Sequence, residues 1–250
     1  MDKKLVEMLH LDLEPVGIFF GNDTTECDLK ADPEKRNCVI PFVMAAAKGK
    51  ITSMDEAGCT CPGGAVGACF GDGFTRLNPN IHIMLSQGMG DKAPKGVPPM
   101  VKEGERFFCT PDLAMKWRQN MPFSDKAYPR IVFAPLSRWS EVGIPDLVYI
   151  FANPDQISAL VTMQGFHKGK AVNTLAPFGA ACHSIVYAAE QMEKEEPMAI
   201  MGLFDISQRS VALKNYLSMT LTYGMWEDML KDLDKSCLTT HSWRKIEERL

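Results

Sequence analysis

Apolar positions along the chain change period several times, and each change marks an expected element. Leu5, Met8 and Leu9 recur at helical spacing and predict a short opening helix. Residues 15–20 are apolar and end at the polar turn Gly21-Asn22-Asp23, the signature of a buried strand. Residues 24–37 are polar and read as a loop that contains Cys27. Pro41 suits the first turn of a helix, so 41–47 reads as helical, stopped by Gly49, with Cys38 just ahead of it. Residues 78–84 read as a short strand, and the glycine- and proline-rich 87–99 as a loop. Thr110-Pro111-Asp112 supplies a cap and a first-turn proline for a helix through Trp117. Residues 130–136 and 146–152 are apolar runs of strand length. Asn153-Pro154-Asp155 ends the second run and starts a helix carrying Ile157, Leu160, Val161 and Gln164. Residues 177–182 lead into a helix with Cys182, Ile185, Val186 and Ala189 on its apolar face. Further strands are expected at 197–204 and 217–223, a helix at 225–233, and an exposed charged tail from Thr239. Strands and helices intermix irregularly, which predicts an α+β or mixed α/β fold: a mixed β-sheet with packed helices.

Composition narrows the class. A chain of 250 residues reads as a single domain, 1–250, or as two intimately packed halves, about 1–125 and 126–250. Hydrophobic content of 46% supports a substantial core without disulfide staples. A net charge of −4 with no basic stripe gives no footprint for nucleic acid. The charge-free run 171–189 contains Asn173, Pro177, Gly179 and His183, so it is not read as a membrane span. Met1-Asp2-Lys3-Lys4 leads into an amphipathic segment rather than an apolar signal core, so the expected location is cytoplasmic. There, eight cysteines read as reduced thiols or metal ligands.

Nucleotide and hydrolase motifs are missing: the chain has no phosphate loop, dinucleotide fingerprint, nucleophile elbow or zinc-protease helix. The five histidines are scattered, and the adjacency of Cys182 and His183 argues little, because neighbours on a helix diverge. The chemistry gathers in residues 59–73, which hold Cys59, Cys61, Cys69 and five glycines, with no charge before Asp72. Glycines let backbone amides approach a ligand, and successive amides form concave anion sites suited to a metal–sulfur centre. A glycine-rich surface loop with small inert cysteines fits the same stretch equally well. Paired Cys-x-x-Cys spacings are absent, so a metal site must gather cysteines from distant segments. Cys38 precedes one helix and Cys182 opens another, positions that lower a thiol pKa. Cys61 stands before Pro62-Gly63-Gly64. Taken alone, Cys182 also suits a plain core position beside Ile185 and Val186.

The order of these segments is itself informative. Pro15-Val16-Gly17-Ile18 is followed by Cys38 before an alanine-rich helix, then by Cys61-x-Gly63-Gly64. Glu105-Arg106-Phe107-Phe108 precedes Thr110-Pro111, and Phe133-Ala134-Pro135-Leu136 precedes Pro145-Asp146-Leu147-Val148 and Asn153-Pro154. Gly179-Ala180-Ala181-Cys182 and residues 205–209 complete a series that resembles the family known as domain of unknown function 169, found in archaea and anaerobic bacteria. The resemblance runs from about Leu11 to Leu230. It implies recurring cysteines at Cys38, Cys61 and Cys182 and points to an iron–sulfur cluster. It also matches Arg209 to a family arginine, which is either an anion partner or an ordinary exposed arginine. Cys59, Cys69 and Cys109 are not implied by it.

Three functional expectations follow. The first is a [4Fe-4S] cluster on Cys38, Cys61 and Cys182 with Cys59 or Cys69 as fourth ligand, serving a redox or cluster-dependent role in anaerobic metabolism. Its partner would be a redox protein or a small-molecule substrate. The second is a metal-free binding module in which Gly63, Gly64 and Arg209 cradle a small anion and the cysteines are structural. The third, the weakest, is structural zinc. Trp139 and Trp226 are candidates for a homo-oligomer contact, with core placement the safer expectation for both.

Overall fold

A computed structural model describes residues 3–22, 24–123, 128–209 and 214–250. Its framework is one mixed sheet of eight strands among the described residues, in the order β2-β3-β4-β1-β5-β8-β7-β6. The strands are β1 (Val16–Phe20), β2 (Leu29–Lys30), β3 (Thr52–Asp55), β4 (Arg130–Pro135), β5 (Leu147–Ala152), β6 (Thr174–Leu175), β7 (Ala199–Gly202) and β8 (Leu217–Thr222). Pairing is antiparallel through the centre, with Val16 opposite both Pro135 and Tyr149, and parallel only at the outer pairs β2–β3 and β6–β7. β1 lies between β4 and β5, so the two sequence halves share one sheet.

Burial on both faces explains the unbroken apolar run of β5. Leu147, Tyr149 and Phe151 join Val16, Ile18, Ile131 and Phe133 beneath α2 (Val39–Ala47) and α9 (His183–Gln191). Val148, Ile150 and Ala152 point the other way, joining Met219 and Leu221 beneath α1 (Lys4–Leu9), α8 (Pro154–Gln164) and α11 (Tyr223–Lys231). The cap expected at Asn153 is a full capping box: its side chain accepts the Gln156 amide while the Gln156 side chain accepts the Asn153 amide. Trp226 is only 1% exposed and Trp139 is half-buried.

A helical layer covers the outer side of α9. It comprises α3 (Pro62–Gly67), α4 (Gly73–Leu77), α5 (Ile81–Met84), α6 (Pro99–Glu103) and α7 (Pro111–Gln119). A separate apolar cluster of Val66, Cys69, Phe74, Ile81, Leu85, Ala114 and Met121 packs it against Val186.

Several local expectations are corrected. Residues 78–84 hold the short helix α5 rather than a strand; the Asn78-Pro79-Asn80 turn starts it, and Ile81 is the buried anchor. The tail is not simply exposed: α12 (His241–Glu247) buries Trp243, whose indole N–H donates to the Met8 carbonyl at 3.0 Å. The polar stretch 24–37 contributes the edge strand β2, held by its backbone rather than by apolar side chains. The cysteine–glycine stretch forms α3 and α4 and does contribute core. Its side chains are small enough for Ala65, Val66 and Ala68 to be buried closely. No helix among the described residues is long and apolar enough to cross a membrane.

Candidate functional site

Three helices begin at one cavity, each with a cysteine as its N-cap. Cys38 caps α2, Cys61 caps α3 and Cys182 caps α9. All three line a cavity of about 570 Å³. Sheet topology produces this convergence: α2 lies on β3 and β4, α9 lies on β7 and β8, and α3 packs against α9. Pro62 starts α3 at its first helical position, which sets the direction of Cys61. Gly67 permits the α3–α9 contact, because a Cβ there would stand 2.6 Å from the Cys182 sulfur and 2.9 Å from its carbonyl oxygen.

Backbone amides serve the sulfurs. The Gly64 N–H donates to Cys61 Sγ at 3.4 Å, and the Ile40 and Cys61 amides support the sulfurs of Cys38 and Cys59. The helix starts nevertheless do not lower the thiols of Cys38 and Cys182, and that expectation is overturned. Burial pushes the Cys38 thiol up and that of Cys182 well up, with repulsion from the neighbouring cysteines adding to both. Desolvation outweighs the helix-end field here. Cys59 lies behind the cavity wall, close enough for its charge to be felt by Cys182, and burial pushes its thiol up to about 12. Cys69 lies apart, in the apolar cluster under α4, its thiol also raised to about 12 by burial alone. Together these thiols are neutral when nothing cationic compensates them.

Of the two glycines expected to present amides, Gly64 has its N–H engaged, and at Gly63 it is the carbonyl that is engaged. Gly64 serves Cys61, while the Gly63 carbonyl accepts from Cys182 Sγ at 3.5 Å and from His183 Nε2 at 3.1 Å. His183 Nδ1 accepts the Ala180 N–H, so its proton sits on Nε2. Burial pushes this imidazole down to about 4 and keeps it neutral. Arg209 lies in the short helix α10 (Ile206–Arg209) and donates to the carbonyls of Leu203, Lys214 and Tyr216; it is not among the residues lining the cavity.

Sequence reasoning assigned no role to the aromatic part of the lining. Phe74, Phe107, Trp117 and Phe178 form it, with Phe107 and Phe178 edge to face at 5.4 Å and Trp117 stacked on His183 at 6.1 Å. Trp117 Nε1 donates to the Phe178 carbonyl at 3.1 Å. Glu105 and Asp205 also face the cavity. The aromatic spacing carries no period that would set these residues apart from core; only the fold brings them together. Gly179 is a local clue in retrospect, since a Cβ there would collide with His183 Nδ1.

The result is a mixed α/β protein with a cysteine-walled, aromatic-backed pocket at the meeting point of three helix starts. The chain belongs to the DUF169 family, described as "Uncharacterised ArCR", whose model matches residues 4–232. No curated protein and no solved structure matches the chain.

Proposed function

We propose that Cys38, Cys61 and Cys182 hold a [4Fe-4S] cluster and that the adjoining cavity admits a small-molecule substrate. The observation that carries this reading is the convergence of three N-cap cysteines on one cavity from segments far apart in sequence. Cysteine sulfurs are the usual ligands of such clusters, and N–H donors to sulfur are a main lever on their potentials. The buried thiols repel one another when ionised, and a cationic inorganic core supplies the missing compensation. Cys38, Cys61 and Cys182 would hold three irons, and the fourth would be either left without a cysteine and open to substrate or held by Cys59. When bound, a cluster of this kind supplies electron transfer or a Lewis-acidic iron.

The protein's own groups have separate tasks. Gly64 N–H steadies Cys61. His183 fixes the Gly63 carbonyl beside Cys182. Zinc is the weaker metal reading because paired Cys-x-x-Cys spacings are absent. Among the described residues no three of His, Cys, Asp and Glu stand gathered around a single metal-ion position, so a cluster would have to span the wider separation of the cysteines. The anion module is weakened as well, because Arg209 and the Gly64 amide are occupied.

Oxygen-free purification or reconstitution followed by iron, sulfide and absorption analysis tests the proposal. Cys38→Ser, Cys61→Ser and Cys182→Ser should each lose the chromophore, and Cys69→Ser should keep it. Cys59→Ser separates an open fourth position, with iron retained, from a fourth cysteine ligand. A protein that stays colourless and iron-free after reconstitution overturns the proposal.

A further inference from the structure

We infer that the cavity takes an organic cation, a protonated amine carried on an aromatic or apolar body. This rests on the reading of the cavity as a substrate site and names the class of molecule that enters it.

The charge comes from Glu105 and Asp205. Glu105 lies between α6 and α7, and Asp205 lies between β7 and α10, so two unrelated segments deliver carboxylates to the same space. They are close enough that Asp205, together with burial, holds the Glu105 carboxyl above its usual range. Neither forms an ion pair among the described residues. Asp205 Oδ1 accepts from the Ser207 amide at 2.9 Å and the Ser207 hydroxyl at 2.6 Å, which orients the carboxylate. Arg36 is the one permanently charged base on the lining among the described residues; it is exposed and acts on Cys38.

The body of the ligand is indicated by the aromatic wall. Phe178 is 38% exposed although it touches Phe107, Phe108 and Trp117, so ring surface faces the cavity. Ring faces attract cations, the more strongly where the cation is desolvated. A cavity of about 570 Å³ lies in the range that encloses a small organic molecule. An anion would meet two carboxylates. A wholly apolar guest would strip water from them without offering a partner.

The test uses the full chain and three probes that share one ring system: tryptamine (cation), tryptophol (neutral) and indoleacetate (anion). Calorimetry and ligand-observed NMR should rank them in that order, with tryptamine tighter than indoleacetate by about tenfold or more. The double variant Glu105→Gln, Asp205→Asn keeps the side-chain shapes and should abolish the ranking while circular dichroism stays unchanged. Three results would each overturn the inference: indoleacetate binding as well as tryptamine, no tryptamine binding at millimolar concentration, or a ranking that survives the double variant. Repeating the titration on iron-free Cys61→Ser separates the two proposals. A ranking preserved in wild-type protein that stays iron-free after reconstitution sinks the cluster alone, and iron-loaded wild-type protein and iron-free Cys61→Ser that both lack charge preference sink only the cation.

Discussion

Gly67→Ala is the sharpest test of how the cysteines are brought together. Gly67 is the last residue of α3, and its missing side chain is where α3 meets the start of α9. An added methyl would lie 2.6 Å from Cys182 Sγ, 2.9 Å from its carbonyl oxygen and 3.0 Å from its carbonyl carbon. Comfortable contacts lie near ~3.5–4.0 Å, so the two helices must part by roughly 1 Å. The sulfur can swing away but the Cys182 backbone cannot. Overpacking of this kind costs about 1–3 kcal/mol, against a helix-propensity gain of at most about 1 kcal/mol. The expected net loss is about 1–2 kcal/mol, or roughly 2–8 °C in midpoint for a chain of this size. Gly224→Ala is the matched control: it lies within α11, and nothing stands within 4 Å of its added methyl. That variant should be neutral or more stable by up to about 1 kcal/mol. Urea titration of both, with iron content measured after reconstitution, gives the comparison. If Gly67→Ala matches the wild type in stability and in iron content, the α3–α9 contact does not position Cys182 and the reasoning fails.

His183→Leu removes the two bonds that tie Gly63 to the Gly179–Ala180 turn and should lower stability by about 1–3 kcal/mol for each backbone group left unsatisfied; a urea midpoint unchanged from wild type would refute this. Asn153→Ala breaks the capping box of α8 and should cost about 1 kcal/mol, read as a thermal midpoint lower by about 2–4 °C. Glu105 titrates higher in the folded protein than in the unfolded chain, chiefly through burial and then through Asp205. Its folded form therefore binds protons more tightly, and its contribution to stability falls as pH rises from the ordinary glutamate pKa through the raised one. Glu105→Gln should abolish that part of the pH dependence, gaining on the wild type at neutral pH and not below the glutamate range; equal stability profiles for the two proteins would count against it.

How far the sequence discloses this molecule depends on the range over which each signal acts. β1, β4, β5 and β8 are legible because their apolar runs are long and their boundaries carry proline or turn residues. α7 and α8 are legible because Thr110 and Asn153 cap them within a few residues. β2, β3 and β6 carry too few apolar side chains to stand out, since they exist by pairing with neighbours. α5 was misread because Ile81 and Ile83 alternate like a strand over a span too short to show a helical period. At the site, cysteine next to a helix start could be read locally for Cys38 and Cys182, and those positions are where the chain places them. The direction of their pKa shifts could not be read, because helix ends are local whereas burial in the core under α2 and α9 is set by the whole fold. The aromatic wall and the Glu105–Asp205 pair fail for the same reason: each residue alone is ordinary, and their meaning lies in lining the same cavity as three cysteines. Cysteine position thus argues for what the protein holds, while the aromatic and acidic residues of the lining argue for what it admits. The two arguments share no side chain, so either proposal can fail without the other.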